Sequence, residues 1–228
     1  MPVLMAYHWA MPVEDDSMFR RWAKARICFA ALLLLLAACA SSKFDALPAD
    51  AKVLVIGDSI TAGYGLAPEQ AWTTRLASET GWHVVNAGVS GDTTSGGVER
   101  LPALLDEHQP VAVIIELGGN DMLRRQSPTA IVANLETMLV EIERRGARPI
   151  LMSVPKPELA GLFFASLADA PFYAEIGERR KIPLIANVLS KVLGKPEFKL
   201  DRVHPNSDGQ QAIGGEAASV LRKQGLVR

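Results

Sequence analysis

The chain has 228 residues, of which 49% are hydrophobic, and its 24 basic and 25 acidic side chains leave a net charge of −1. This length suits one domain with a hydrophobic core of its own. The near-zero charge gives no electrostatic reason to expect nucleic acid as a partner. A content of 21% charged residues with 18 glycines and 14 prolines is also unlike that of a disordered chain.

An apolar run near the start of the chain holds much of the hydrophobic excess. It covers residues 27–40, reads ICFAALLLLLAACA, and follows a segment with basic residues at 20, 21, 24 and 26. The run is shorter than the roughly 20 residues of a membrane span. A basic segment, a short apolar segment and a small-residue exit are typical of an export signal, so residues 1–38 are predicted to be a leader. Because residues 1–17 are acidic where a signal is basic, we expect the true start at Met18 and the signal at residues 18–38.

The exit of this run reads LAAC and ends at Cys39, which resembles a bacterial lipobox. In that pattern the cysteine is lipidated and becomes the first mature residue. Conventional cleavage after Ala40 is the alternative, and either route exports the chain. Lipidation of Cys39 predicts a membrane anchor at the periplasmic face, and Ala40 in the second mature position favours the outer membrane. The mature chain would hold a single cysteine and no intramolecular disulfide.

Predicted strands and helices alternate after a polar tether at residues 39–50. Apolar, β-branched runs predict strands at residues 52–57, 83–86, 111–117, 149–154 and 183–186. Apolar spacing and capping signals predict helices over residues 69–80, 94–108 and 127–146, and a last one in which Ser207 is the cap and Gln210 completes a capping box. The alternation predicts one α/β domain over residues 51–228, with a parallel sheet covered by helices on both sides.

Polar turns follow the first three predicted strands, and a further polar segment precedes the last helix. They read GDSI from residue 57, NAGVSGD from residue 86, GGND from residue 118 and DRVHP from residue 201. Active sites of such folds lie at the carboxyl ends of the strands. We therefore expect these four segments to converge on one rim of the sheet.

The residue types in these segments are those that acyl transfer needs. Ser59 can act as a nucleophile if a base takes its proton, and the imidazole of His204 can be that base. Asp201 can reach the other ring nitrogen and hold the correct tautomer. The backbone N–H groups of Ser59 and Gly91 and the side-chain amide of Asn120 are candidate donors to an oxyanion.

Each segment alone has an ordinary structural explanation: a helix cap, an ion pair in a surface loop, or a turn. Only their combination and order favour catalysis. Gly88 is an alternative to Gly91 as an oxyanion donor, and sequence physics does not choose between them. Three acidic residues are interpreted as hydrogen-bond acceptors in loops and at helix starts: Asp58, Asp92 and Asp121.

The segments IGDSITAGYG, VVNAGVSGDTTSGGVERLPALLDEHQP, IIELGGND and DRVHPNSDGQ together resemble the SGNH, or GDSL-type, hydrolases. The branch they resemble is the bacterial arylesterases and multifunctional thioesterase/lysophospholipases, over residues 52–221. The resemblance implies a flavodoxin-like, three-layer α/β/α fold with a five-stranded parallel sheet. It also implies Ser59 as the nucleophile, His204 as the base, Asp201 as its orienting acid, and Gly91 and Asn120 as oxyanion donors beside the Ser59 amide. Ile60 stands where this family usually has leucine, and both side chains are apolar.

The predicted function is a serine esterase that works through an acyl-enzyme and needs no metal or cofactor. The expected substrate is a small ester or lipid: an aryl ester, a short or medium acyl ester, a lysophospholipid or a thioester. The other expected partner is the membrane, through the lipid on Cys39. An apolar wall for the acyl or aryl group is predicted between the fourth and fifth strands, from Leu159, Leu162, Phe163 and Phe164. Phe172 belongs to the same predicted wall, and the alternative is that all five residues cap the core.

Other functions are open at this point. A carbohydrate or peptidoglycan O-acetylesterase would use the same mechanism. A flavodoxin-like ligand-binding protein without catalysis would explain the turn after strand one, but it leaves the pair of Asp201 and His204 unexplained. A metallophosphoesterase would need histidine ligands that GGND lacks.

Overall fold

The computed structural model describes residues 43–157 and 167–228. The predicted leader, Cys39 and the four residues of the predicted apolar wall, namely Leu159, Leu162, Phe163 and Phe164, lie outside the described residues. None of the helices that are described is both long and apolar enough to cross a membrane.

A parallel sheet of five strands forms the centre of the described domain, in the order β2-β1-β3-β4-β5. The strands are β1 (Lys52–Gly57), β2 (His83–Gly88), β3 (Ala112–Glu116), β4 (Arg148–Met152) and β5 (Leu184–Ile185). The side chains of residues 53–56 and 112–115 are completely buried, because a parallel sheet with helices on both faces hides every side chain of its central strands. The five predicted strands and their parallel arrangement are confirmed.

Helices cover both faces of this sheet. They are α1 (Ser59–Ala62), α2 (Trp72–Thr80), α3 (Thr94–His108), α4 (Gly119–Leu123), α5 (Pro128–Arg144), α6 (Pro171–Arg180), α7 (Val188–Leu193) and α8 (Ser207–Lys223). After β1 the chain forms β2 on one side of β1, and it then crosses back over β1 to form β3 on the other side. Because such crossovers are right-handed, α2 and α3 lie on opposite faces. Helix α8 packs beside α2, and α5 packs beside α3.

Helix α5 shows how directly the sequence predicts a buried face. Its five predicted inward residues are all completely buried: Ile131, Leu135, Met138, Leu139 and Ile142. Ser127 caps the helix by accepting the N–H of Ala130, as its position before Pro128 predicts.

Helix α8 corrects a prediction. Its N-cap is Asn206, one residue before Ser207, and the Asn206 side chain accepts the N–H of Gly209 at 2.9 Å. Gln210 does not form a capping box, because its side chain faces inward and is 1% exposed. Its Oε1 accepts the N–H of Trp72 at 2.8 Å and its Nε2 donates to the carbonyl of Ile60 at 2.9 Å. Gln210 therefore ties α8 to the two helices that follow β1.

Two further features differ from the sequence prediction. The residues from 43 onward that were expected to form a free tether pack along the end of the chain: the N–H of Phe44 donates to Gln224 and that of Leu47 donates to Leu226. The reason is that the Leu47 side chain is buried against the core. Helix α6 was not predicted, and it carries Phe172 and Tyr173 into the core. Phe172 is thus a core residue, as the alternative interpretation held.

Candidate active site

The carboxyl ends of β1, β2 and β3 lie side by side. Gly57, the last residue of β1, is level with Gly88 of β2 and Glu116 of β3. The chain leaves these neighbouring strands in opposite directions, which opens a crevice at the rim. The three turns expected to converge therefore begin next to one another.

The turn after β1 holds Ser59 at the start of the short helix α1. Asp58 is the N-cap, and its side chain accepts the N–H of Ile60 at 2.9 Å. Gly57 leaves no room for a side chain, since a Cβ there would lie 2.1 Å from Oγ1 of Thr61. The close packing at Gly57 and the cap on α1 together fix the position of Ser59.

Ser59, His204 and Asp201 form a continuous hydrogen-bonded chain. The Oγ of Ser59 lies 3.0 Å from Nε2 of His204, although the two residues are 145 positions apart in the sequence. Nδ1 of His204 lies 2.7 Å from Oδ2 of Asp201. With the Nδ1 proton bonded to the carboxylate, Nε2 is left as the acceptor for the serine proton.

Asp201 is held as an ionised carboxylate. Burial alone would raise its pKa, but hydrogen bonds from the His204 ring and from the N–H groups of Val203 and His204 outweigh it and lower the pKa of Asp201 to about 2. The two backbone N–H groups donate to Oδ1 at 2.9 and 2.8 Å. One oxygen thus orders the loop and the other faces the imidazole.

The structure distinguishes Gly91 from Gly88 as a donor to an oxyanion. The N–H of Gly88 already donates to Oδ1 of Asn86 at 2.9 Å. The N–H groups of Ser59 and Gly91 find no acceptor among the described residues. Both Ser59 and Gly91 line the same cavity. Gly91, and not Gly88, is therefore available to bind a negative oxygen beside Ser59.

The side-chain amide of Asn120 is engaged within the protein. Its Nδ2 donates to the carbonyl of Asp92 at 2.9 Å and to Oδ2 of Asp58 at 3.1 Å. These two contacts use both of its N–H bonds. To bind an oxyanion, the amide would have to give up one of these hydrogen bonds. The bond to Asp58 is the longer of the two and is therefore the easier to replace.

The turn that carries Asn120 is supported by the unpredicted helix α6. The hydroxyl of Tyr173 donates to the carbonyl of Leu117 at 2.7 Å, at the end of β3. Gly118 has a φ of +125°, and a Cβ there would lie 2.3 Å from that hydroxyl oxygen. Only glycine combines this backbone conformation with this close approach, so the first glycine of GGND is required for packing.

A buried acid lies below the serine turn and was missed in the sequence. Glu116 ends β3 with no exposed surface, and its carboxyl accepts the hydroxyl of Thr61 at 2.7 Å. Burial, reinforced by the charge of Asp58, raises the pKa of Glu116 well above its usual value. Burial likewise raises the pKa of Asp58 to about 6. The available signal was one acidic residue in the otherwise apolar run VAVIIEL.

Arg100 of α3 joins the strand ends from the other side and was also missed. It donates through Nε to Asp92 at 2.7 Å, to the carbonyl of Ala87 at 2.7 Å and to that of Gly57 at 3.1 Å. A guanidinium has donors enough to hold three groups at once. Arg100 thus stabilises the turns after β1 and β2 together.

Asp121 connects the second and third turns. Its two carboxylate oxygens accept the hydroxyl of Thr94 at 2.6 Å and the N–H of Thr94 at 2.9 Å. Thr94 is the first residue of α3, so the carboxylate lies where a helix start favours negative charge. The interpretation of Asp58, Asp92 and Asp121 as acceptors in loops and at helix starts is confirmed.

A cavity of about 680 Å³ lies in front of Ser59 and His204. Its described apolar lining includes Tyr64, Leu123, Leu167 and Leu193. The Tyr64 ring stacks on the His204 ring with centroids 4.4 Å apart. Within the described residues, no three histidine, cysteine, aspartate or glutamate side chains are grouped as metal ligands would be.

Residues 55–212 match the model of the GDSL-like lipase/acylhydrolase family. The arylesterase of Vibrio mimicus is 36% identical over 181 residues, which cover 77% of this chain and 90% of that protein. The thioesterase 1/protease 1/lysophospholipase L1 of Escherichia coli is 36% identical over 184 residues, 78% of this chain and 86% of that protein. Among solved structures, the psychrotrophic esterase EstA of Pseudoalteromonas sp., inhibited by monoethylphosphonate, has a TM-score of 0.65 at 29% identity, covering 76% of this chain and 98% of that one.

The family match covers more than half of the chain and includes the turns after β1, β2 and β3 and the loop that holds Asp201 and His204. The relatives are similar over nearly the whole described domain. The chain therefore belongs to the GDSL-like lipase/acylhydrolase family.

Proposed function

We propose that this protein hydrolyses carboxylic esters with Ser59 as nucleophile, His204 as general base and Asp201 as the residue that orients the base. The observation that carries the proposal is the unbroken chain from Ser59 Oγ through both ring nitrogens of His204 to Asp201, with spacings of 3.0 and 2.7 Å. A serine that merely caps a helix would not face the imidazole of a residue 145 positions away.

The geometry supports a two-step acyl transfer. Ser59 Oγ attacks the carbonyl carbon as its proton moves to Nε2 of His204, and the imidazolium is stabilised by the ionised Asp201. The proton then passes from Nε2 to the leaving oxygen while the carbonyl–oxygen bond breaks, which leaves an acyl-enzyme. In the second half, His204 takes a proton from water as the water oxygen attacks the acyl carbon, and the same proton then passes from Nε2 to Ser59 Oγ as the bond to the acyl group breaks, which releases the acid and restores the serine.

The negative oxygen that forms in each step is bound by the N–H groups of Ser59 and Gly91, which have no acceptor within the described residues. Asn120 joins them when its amide leaves Asp58 for the substrate. Such donors contribute most in the transition state, where the oxygen carries its full charge. Asn120 is thus a donor whose contact with the protein is exchanged during the reaction.

The relatives support the substrate class. Their names are arylesterase and thioesterase/lysophospholipase, which favours aryl esters, short or medium acyl esters, lysophospholipids and thioesters for this chain. The apolar side chains around the cavity suit an acyl or aryl group. Leu159, Leu162, Phe163 and Phe164 stay a prediction for this apolar wall.

The serine assignment is tested by Ser59→Ala on p-nitrophenyl esters. We expect kcat to fall by about 10⁴-fold or more, because the nucleophile is lost while the oxyanion donors stay. Ser95→Ala is the matched control, since Ser95 is exposed in α3 and does not line the cavity. A fluorophosphonate should add its mass to Ser59 in the wild type and in the control. Turnover by Ser59→Ala near the wild-type rate would overturn the assignment.

We further propose that the chain is exported and lipidated on Cys39, and that it acts at the periplasmic face of the outer membrane. The support is the basic, apolar and small-residue pattern that ends at Cys39. Mass spectrometry of the mature N-terminus should find a lipid-modified Cys39, and Cys39→Ser should abolish the modification. An unmodified N-terminus at Ser41 would instead show conventional cleavage.

A further inference from the structure

The charged side chains that line the cavity beside Ser59 are mainly positive, whereas the chain as a whole is nearly neutral. Three cationic side chains line it, namely Lys156, Lys199 and Arg202. The one carboxylate among its described lining residues is Asp58, which is 4% exposed and accepts hydrogen bonds from Ile60 and Asn120. The chain as a whole carries a net charge of −1, so the positive cavity is a local feature.

Two of the cations belong to the loop that holds His204. Lys199 pairs with Pro205 in an isolated bridge, and the N–H of Leu200 donates to the carbonyl of His204 at 2.9 Å. This closes the loop at its base, with Arg202 at its tip. The carboxylate of this loop, Asp201, pairs with His204, and within the described residues neither Lys199 nor Arg202 forms an ion pair with a carboxylate. The positions of both cations are therefore tied to the general base.

The direction of proton transfer determines which part of the substrate lies on the side of these cations. Nε2 of His204 must give its proton to the leaving oxygen as the bond from the carbonyl carbon breaks. The leaving alcohol therefore departs against the loop of residues 199–205, and the acyl group points away from it. A charge on the alcohol would then lie on the side of the cavity that Lys199 and Arg202 line.

We propose that the preferred substrates are esters whose alcohol portion carries an anionic group, a phosphate or a carboxylate, bound by Lys199 and Arg202. This inference rests on the proposed serine esterase function and adds a charge requirement on one side of the ester. Lys199 is half-buried and Arg202 is exposed, so they act by steering and weak pairing rather than by a buried ion pair. The preference is accordingly modest and falls with added salt.

The test uses soluble aryl esters that share one acyl group and differ in the charge of the phenol. They are the 4-butyryloxy derivatives of benzoate, phenyl phosphate and benzamide, of which the first two are anionic and the third is neutral. At low ionic strength we expect kcat/KM of the wild type to be roughly tenfold higher for the anionic esters than for the neutral one, as two weak ion pairs would supply. The ratio of the phosphate to the carboxylate ester shows which anion the cleft prefers.

The double variant Lys199→Gln/Arg202→Gln should bring the ratio of anionic to neutral kcat/KM close to one. Lys52→Gln/Lys223→Gln is the matched control, since it removes two exposed cations that do not line the cavity, and it should keep the wild-type ratio. A wild type that hydrolyses anionic and neutral esters alike, or a double variant that retains the preference, overturns this inference. The serine esterase function fails separately, if hydrolysis of the neutral ester does not depend on Ser59.

Discussion

Replacement of Asp201 by asparagine separates the two tasks of this side chain. In the protein, Oδ1 accepts the N–H groups of Val203 and His204, and Oδ2 faces Nδ1 of His204 at 2.7 Å. Asparagine keeps an oxygen for the two backbone groups, so the loop retains its conformation. It places an NH₂ group opposite Nδ1, which must then be an acceptor, and the ring proton moves to Nε2. That proton points at Ser59 Oγ, 3.0 Å away, and the base can no longer accept.

The expected loss in kcat for Asp201→Asn is roughly 10⁴-fold, the size found when a triad base is held in the wrong tautomer. This corresponds to about 5.5 kcal/mol in the activation barrier. The effect on folding is much smaller, because only one hydrogen bond at a partly exposed side chain is weakened. A cost of about 1 kcal/mol lowers the melting temperature by about 2–4 °C in a domain of this size.

The same variant has a pH signature in stability. The pKa of Asp201 is lowered from 3.8 to about 2 in the folded protein. A lowered pKa contributes stability that is present above about pH 3.8 and is lost as the pH falls through about 2. Asp201→Asn should therefore be less stable than the wild type at pH 5, and the difference should shrink towards pH 2.

Steady-state hydrolysis of a p-nitrophenyl ester and thermal unfolding test both parts. Asp208→Asn is the matched control, because Asp208 is exposed in the first turn of α8 and does not line the cavity. It should keep wild-type kcat. Folded Asp201→Asn with more than about a tenth of the wild-type kcat would refute the argument that this carboxylate selects the tautomer of His204.

Three more predictions follow from the surroundings of Ser59. Asn120→Ala should lower kcat by roughly 10²–10³-fold with little change in KM, because a donor to the oxyanion acts mainly in the transition state; an unchanged kcat on p-nitrophenyl esters would exclude Asn120 from the oxyanion site. Glu116→Gln should flatten the pH dependence of urea unfolding. Because burial raises the pKa of Glu116 above 4.5, the folded wild type should lose stability as the pH rises from about 4.5, by up to about 1.4 kcal/mol per pH unit; equal slopes above that pH in both proteins would contradict a raised pKa of Glu116. Gly57→Ala should lower the free energy of unfolding by about 1–3 kcal/mol through overpacking, because its Cβ would lie 2.1 Å from Thr61 Oγ1. Gly215→Ala in α8 is the control: nothing lies within 4 Å of a Cβ there, so it should raise the free energy of unfolding in urea by about 0.5–1 kcal/mol. Similar effects at both positions would show that space below the serine turn is not limiting.

The sequence alone predicts those parts of this protein that depend on local pattern. Apolar runs predict all five strands, and most clearly the central strands β1 and β3, because a parallel strand that is buried on both faces needs such side chains throughout. Helical spacing predicts the five buried residues of α5, since a helix presents one face to the core. The polar turns after β1, β2 and β3 are predicted to meet, because parallel strands end at one rim. Short helices such as α1, α4 and α7 escape prediction because they are held by packing rather than by a repeating pattern.

The tertiary structure decides what depends on contacts between distant residues. Gly91, rather than Gly88, is available as a donor because the fold places it in the cavity of Ser59, from which it is 32 positions away in the sequence, while the N–H of Gly88 already donates to Asn86. Gln210 is placed in α8 by its sequence, but its partners, Trp72 and Ile60, are 138 and 150 positions away. Such partners are selected by which elements pack together, so they become visible only when the chain is folded.

The same reason applies to the electrostatics of the site. Glu116 is a single acidic letter in an apolar strand, and its raised pKa arises from complete burial beside Asp58. Lys199 and Arg202 are ordinary cations in the sequence, and only the closed loop brings them to the cavity of Ser59. The effect of a neighbouring charge depends on its distance, and the cost of desolvation depends on burial, so both are set by the three-dimensional structure. The sequence therefore names the chemical groups of this site, and the fold determines the environment in which each of them acts.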